Sequence, residues 1–391
     1  MAGNNRFAIR AQKAKKARFF DYNLIVIISF LLAFGMVMIY STSSYDAYIT
    51  FGEPSYYLKK QVVATIAGLV IMVVFALIPY HFWEKTAGLA YATSIVLILL
   101  IIPLGYEANG AKRWIKIFGI SMQPAEVAKV GMIIFLACII TRLGKNTAKR
   151  KGFWLAFGSA VPISLMLWLI TSNLSSAIIV VGIALIMLFV STPNYRRFVL
   201  IALVGIVAAG LLVLIIVSNA AGVESGDMGF RGSRVLAWLD PEAYASGKGF
   251  QTLQALYAIG SGGLFGKGLG NSIQKLGFLP EAQNDMIFSI ICEELGLFGA
   301  LAVILLFILL IMRLKYIADR AMDQFGALLV VGVMGHIAIQ VILNIAVVTN
   351  TIPNTGISLP FISYGGSASF FLLTEIGICL SVARGLTQDY E

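Results

Sequence analysis

The sequence predicts an all-α polytopic membrane protein of ten transmembrane helices, and three observations carry that expectation. Hydrophobic residues make up 59% of the 391 residues and charged residues only 12%, where a soluble domain carries roughly 25% charged residues. So little charge cannot cover a water-facing surface, and a disordered chain has the opposite balance. Mean hydropathy is +0.88. Apolar runs of spanning length recur near 23–41, 61–79, 87–105, 124–141, 153–171, 174–192, 198–218, 286–312, 325–349 and 367–383. A bilayer core needs about 20 apolar helical residues, and each run is of that order.

Taken in order, the chain opens on a basic tail, residues 1–22. The tail fits the first region of a signal peptide, but the run 23–41 is long enough to span and lacks a small-residue cleavage site. The first helix is therefore expected to stay, with a cytoplasmic N-terminus. Ten crossings return the tail 384–391 to the same side, so both termini are cytoplasmic around one ten-helix domain, 23–383. Of the 29 Lys and Arg, 18 then fall inside, ten fall outside, and Lys129 lies within a helix. Five of the outer ten sit in one long loop, which counts little for orientation. The net charge of +10 thus reads as membrane topology and not as affinity for nucleic acid.

The loops are unequal. Inner connections are short and basic. A large outer loop, 219–285, joins the seventh and eighth helices and holds the densest glycines, in 259–272. Loops of this length in a compact protein are usually functional. A second outer segment, 350–366, is too broken by Pro and Gly for a helix and too apolar for a linker. It is expected to line a cavity, since irregular backbone at membrane depth needs shelter. A third, 106–122, carries Lys112, Arg113 and Lys116 against Glu107, contrary to the orientation rule. An anionic ligand at the outer face would explain that excess.

Ionisable groups inside spans are costly and are functional candidates by default. Glu126 and Lys129 lie three apart on one helical face and are able to neutralise each other. Adjacent Glu293 and Glu294 point about 100° apart, so they cannot share one site; protonated side chains bonded to neighbouring helices are the expectation. His336 reads as a satisfied buried polar group, and Glu375 is a further ionisable candidate. Cys138, Cys292 and Cys379 lie in apolar runs and read as packing residues. Asp285 differs, because it ends the long loop and starts the eighth helix. It caps that helix or acts as a general base, partly desolvated and reachable from outside. The stretch around Lys267 imitates a phosphate loop, but Gly268 stands where Ser or Thr is needed and no strand precedes it.

Three blocks together resemble the SEDS family (shape, elongation, division and sporulation): GAKRWIKIFGISMQPAEVAK at 110–129, the long block 247–299, and LPFISYGGSAS at 359–369. The form GLGNSIQKLGFLPE, followed by EELGLFG, is closer to the family's FtsW division branch than to its RodA branch, and sporulation members share it. The resemblance implies a SEDS-type bundle and a peptidoglycan glycosyltransferase. Such an enzyme polymerises lipid II at the outer face of the bacterial cytoplasmic membrane, at the division septum for the FtsW branch. Its implied partners are lipid II, a class B penicillin-binding transpeptidase and other divisome membrane proteins, with no nucleic acid.

Residue by residue, Asp285 matches the essential aspartate of the family's LPE-x-x-x-D motif. Gln123, Glu126 and Lys129 match its QP-x-E-x-x-K motif, Arg113 its RW block, and Ser363, Tyr364, Gly365 and Gly366 its ISYGG signature. One departure stands out: many members carry an aspartate where this chain has Asn173. That weakens any role for a carboxylate or metal there.

The expected chemistry has Asp285 as base towards a sugar hydroxyl. Arg113 and Lys129, then Lys267 and Lys275, would meet the pyrophosphate charge. A divalent cation (Mg or Mn) could share that role, although no ligand cluster in the sequence demands one. A lipid II flippase using the buried carboxylates, and a scaffold without activity, are the competing readings.

Overall fold

A computed structural model describes residues 21–108, 111–117, 120–192, 195–220 and 230–386. The basic tail up to residue 20, the last five residues of the C-terminal tail and 221–229 of the long loop lie outside the described residues. Among the described residues, ten spans are long and apolar enough to cross a membrane.

In chain order the helices begin with α1 (Tyr22–Phe51), α2 (Tyr56–Leu77), α3 (His81–Leu99) and the one-turn α4 (Ile101–Leu104). A small sheet follows, with β1 (Gly105–Ala108), β2 (Ala111–Ile117) and β3 (Ile120–Met122). Next come α5 (Pro124–Leu143), α6 (Arg150–Gly158), α7 (Ala160–Leu169), α8 (Leu174–Ser191) and α9 (Arg196–Ala220). The long loop contains α10 (Phe230–Leu239) and α11 (Lys248–Gly262). The chain then closes with α12 (Ile287–Asp319), α13 (Gln324–Val348) and α14 (Gly366–Ala383).

Two spans are broken by proline. Proline has no N–H to donate to the carbonyl four residues back, and its ring crowds that carbonyl. α3 ends at Leu99, four before Pro103, and α6 ends at Gly158, four before Pro162. α1 runs ten residues past the apolar run that announced it. Its polar end, STSSYDAYITF, stays helical, and within it Thr42 and Ser43 donate back to the carbonyls of Met38 and Ile39 at 2.8 and 2.7 Å. Gly52 then stops it in the left-handed region, its N–H on Tyr48 O at 2.9 Å.

The core sits along α13 and α14, whose span windows are 67% and 72% buried. α14 packs along α2, and α5 along α3. α9 is the opposite case, with none of its span window buried. It leans on the bundle through its first turns, where Arg197 lies over the Phe153 ring and Phe198 meets it edge-on.

One small sheet accompanies the helices: β1, β2 and β3 pair antiparallel in the order β1-β2-β3. In β2 the alternation turns Ile115 into the protein while Lys112 and Lys116 stay exposed. The long loop contains two helices of its own, α10 and α11.

Candidate active site around Asp285

At one end of the bundle the irregular segment 350–366 acts as a hub. Ile357, Leu359, Phe361, Ile362 and Ser363 in it are buried, as expected of a sheltered segment. Its polar groups tie five helices together. Trp238 of α10 donates to Asn350 O at 3.0 Å and Arg234 to Asn354 O at 3.2 Å. Asn354 donates to Gln251 of α11 at 2.8 Å, and Ser175 of α8 donates to Thr355 O at 2.7 Å. Gln340 of α13 donates to Ser358 O at 3.0 Å, and Gly365 N–H reaches Gln61 of α2 at 3.1 Å.

This hub also fixes the chain around Asp285. Three successive carbonyls are each held by one donor. Tyr364 N–H donates to Gln283 O at 2.9 Å. Ser363 Oγ donates to Asn284 O at 2.6 Å. Asn344 Nδ2 donates to Asp285 O at 2.8 Å and to Ile357 O at 2.7 Å. Ser363 and Tyr364, expected to bind substrate, are thus placed as the clamp on the aspartate's backbone. Among the described residues, four that are not glycine take positive φ: Ser172, Glu281, Asn350 and Phe361. Three of them belong to the Asp285 loop or the hub, and Ser172 lies one residue before α8's cap. Such strain persists only where the surroundings over-determine it.

The Asp285 side chain is half-buried, and its Oδ1 is shielded with no hydrogen-bond partner among the described residues. Oδ2 lies beside Gly356, where a Cβ would stand 3.7 Å away and the φ of 68° would strain any other residue. Burial is the main cause that pushes the carboxyl up to about 7. The Glu281 carboxylate adds to the rise, and the Arg234 guanidinium opposes it. Arg234 itself is drawn below the usual arginine range by burial, with Asp285 pulling it back. Asp285, Glu281 and Arg234 therefore form one electrostatic unit. Arg234 was only one of ten outer cations in the sequence, and its spacing from Asp285 gave no signal.

The other candidates lie as follows. Lys129 and Glu126 form an ion pair at 2.8 Å, and both are buried. Gln123 precedes α5 as its cap residue, its backbone carbonyl accepting Glu126 N–H at 3.0 Å. Arg113 bonds the carbonyls of Thr171 and Ser172 at 3.3 and 2.9 Å, pinning the sheet to the α7–α8 turn. Asn173 caps α8, accepting Ser176 N–H at 3.0 Å. A neutral amide therefore does the capping that an aspartate would do there. Gly366 opens α14. Among the described residues no three His, Cys, Asp or Glu side chains converge as a metal site.

Lys267 and Lys275 are both engaged. Lys267 Nζ meets Glu293 at 2.7 Å, and Lys275 Nζ meets Glu294 at 2.6 Å and Ser41 Oγ at 2.9 Å. Each lysine is paired with a carboxylate that is itself fully buried. The same pairs revise the reading of Glu293 and Glu294, which meet lysines of the loop and not neighbouring helices alone.

A break at Gly296 (φ 65°) divides α12, and the loop caps its first half. Lys267 N–H and Gly268 N–H donate to the carbonyls of Glu293 and Glu294, both at 2.9 Å. This backbone-on-backbone contact is why the stretch is rich in glycine. A Cβ on Gly266 would stand 2.2 Å from Glu294 O at a φ of 77°. Gly266→Ala is therefore expected to destabilise by about 3 kcal/mol or more, read as a lower melting temperature in detergent.

Beside this loop an apolar groove of about 780 Å³ opens between α1, the start of α2 and the loop itself. Tyr40, Tyr45, Leu58, Leu269 and Leu276 are among the residues lining it.

Ten spans, a clamped irregular hub and a shielded carboxylate beside an arginine define a multi-pass membrane protein with a candidate acid–base centre at one end. The family model of the FtsW, RodA and SpoVE cell cycle proteins matches residues 22–388, and this chain belongs to that family. It is 37% identical to "Stage V sporulation protein E" of Bacillus subtilis, covering 93% of this chain and 97% of that protein. It is 36% identical to "Probable peptidoglycan glycosyltransferase FtsW" of Trichlorobacter lovleyi, over 94% of each. Among solved structures, a peptidoglycan synthase complex matches with a TM-score of 0.75 at 27% identity, over 95% of this chain and 99% of that one. Thermus thermophilus rod shape determining protein RodA matches with a TM-score of 0.68 at 25% identity, over 95% and 98%.

Proposed function

We propose that this protein polymerises lipid II into glycan strands at the outer face of the bacterial cytoplasmic membrane. Septal synthesis in cell division is the proposed duty, with a class B penicillin-binding transpeptidase and divisome membrane proteins as partners. The enzyme class is the one that the FtsW relatives' names carry: a peptidoglycan glycosyltransferase. The match to a peptidoglycan synthase complex supports the transpeptidase partner.

The observation that carries the mechanism is Asp285, a shielded carboxylate on a clamped backbone with a raised proton affinity. A sugar hydroxyl is a weak nucleophile, and a base near the attacking oxygen helps. Asp285 takes the proton of the acceptor 4-hydroxyl. The oxygen's electron pair forms the new C–O bond at the donor's anomeric carbon. The bond from that carbon to the pyrophosphate breaks, and the polyprenyl pyrophosphate leaves with its electrons. Arg234, beside Asp285, is the cation best placed by charge to meet the developing pyrophosphate. Where a divalent cation (Mg or Mn) shares that role, it would neutralise further charge on the pyrophosphate. The apolar groove beside α1 suits a polyprenyl chain.

The test is polymerisation of lipid II in detergent by the purified chain with its transpeptidase, where no sidedness exists. Activity there excludes a flippase or a scaffold as the whole function. The base must be ionised to act. With its pKa at about 7, kcat/KM is expected to rise roughly tenfold per pH unit below that value and to level above it. A flat profile between pH 5.5 and 8 would remove Asp285 from the role of base.

A further inference from the structure

Helix α13 carries His336, Gln340 and Asn344 at four-residue spacing, so they share one face and climb about 12 Å of helix axis. All three are buried. Each uses one polar atom on a neighbour. His336 Nδ1 meets Glu375 of α14 at 2.8 and 3.0 Å. Gln340 Nε2 donates to Ser358 O, and Asn344 Nδ2 to Asp285 O and Ile357 O. Carbonyl partners fix which way each amide points, because only the NH₂ group donates.

Each residue is then left with one shielded atom that has no partner among the described residues: His336 Nε2, Gln340 Oε1 and Asn344 Oδ1. Asp285 Oδ1, at the upper end of the stripe, is a fourth. With His336 Nδ1–H on the Glu375 carboxylate, all four are acceptors. Acceptors in a row cannot satisfy one another, and leaving them bare inside a membrane protein is costly. Water is the donor that fits such a stripe, since each molecule bridges several buried polar atoms.

We infer that this stripe holds a file of water joining Asp285 to His336, and that the His336–Glu375 pair is the holding site for the proton Asp285 removes. The inference rests on Asp285 being the base. During bond formation the acceptor O–H proton passes to Asp285 and then along the water file to His336 Nε2. The imidazolium formed is balanced by the Glu375 carboxylate, so no net charge builds up in the core. After product leaves, the proton returns by the same route to bulk water.

The surroundings leave Glu375 as the acid that meets His336. α8 carries no titratable side chain; α3 carries His81, Glu84, Lys85 and Tyr91, and α11 carries Lys248 and Tyr257. On α5, Glu126 and Lys129 are closed on each other, with Cys138 and Arg142 further along. On α12, Glu293 and Glu294 are held by lysines, Arg313 by Asp21 and Lys315 by Asp319; Cys292 is a buried thiol. Cys379 follows Glu375 one turn on along α14.

The experiment measures lipid II polymerisation by the full chain with its transpeptidase between pH 5.5 and 9, for wild type, His336→Gln and Gln340→Met. Both variants are expected to lose about tenfold in kcat at pH 6, with KM unchanged. The loss should shrink towards pH 9, where hydroxide accepts the proton directly. Gln340→Met leaves the His336–Glu375 pair intact and interrupts the water file, so it tests the relay even where His336→Gln fails to fold. A wild-type profile in Gln340→Met, or a loss of the same size at every pH, overturns the relay. Neither outcome touches the role of Asp285, which stands or falls on its own variant.

Discussion

Asp285→Asn is expected to abolish polymerisation and, at pH 8, to melt at a higher temperature than wild type. Asparagine keeps the size and the acceptor oxygen and removes the base. Loss of a positioned general base costs typically 10²- to 10⁴-fold in rate, which places the variant near the floor of the assay. The stability gain follows from the same carboxyl. In the folded protein its proton affinity is raised from 3.8 to about 7. Between those values the folded state holds a proton that the unfolded state releases, so stability falls as pH rises through that window. Above it the full cost remains, at most on the order of 4 kcal/mol, and lower to the extent that the half-buried carboxylate stays hydrated. Asparagine carries no such cost. The difference in melting temperature should therefore be a few degrees at pH 8 and less than half that at pH 5. Normal polymerisation by the variant would end the case for Asp285 as base. An inactive variant that melts below wild type at pH 8 would mean that the carboxylate holds the loop together.

The second large effect concerns Lys275 and Glu294. Lys275→Met leaves a fully buried carboxylate unpaired, which costs about 3–5 kcal/mol. The double variant Lys275→Met with Glu294→Gln removes that charge and should recover most of the lost melting temperature. A lysine that served the pyrophosphate would behave otherwise. Its loss would raise KM with little change in melting, and Glu294→Gln would not rescue it. The double-mutant cycle, read in both melting temperature and KM, separates the two roles.

Much of the fold is legible in the sequence. Ten apolar runs became ten spans because a helix is the one way a single segment satisfies its own backbone in lipid. Hydropathy placed the runs but not their ends. It stopped α1 at Ser41, since serines and threonines read as an exit although they bond back along the helix. It ran α12 straight through Gly296, because a glycine in an apolar run carries no sign of its φ. The sheet escaped notice, since it needs pairing between strands that hydropathy does not register. The runs 87–105 and 153–171 also read as unbroken, although Pro103 and Pro162 break both.

The candidate site divides in the same way. The sequence by itself determined the ten-span class, the clustering of unusual residues in three loops, and Asp285 as the carboxylate to examine. These rest on composition, spacing and motif, which are local properties. Only the tertiary structure decided which charges are engaged. It joined Lys267 to Glu293 and Lys275 to Glu294, closed Lys129 on Glu126, and brought Arg234 from a distant helix towards Asp285. It also turned Ser363 and Tyr364 into the clamp on that loop. The physical reason is that charge is legible in a sequence while its partner is not. Whether a lysine is free to meet an anion depends on the carboxylate beside it, and long-range packing sets that neighbour.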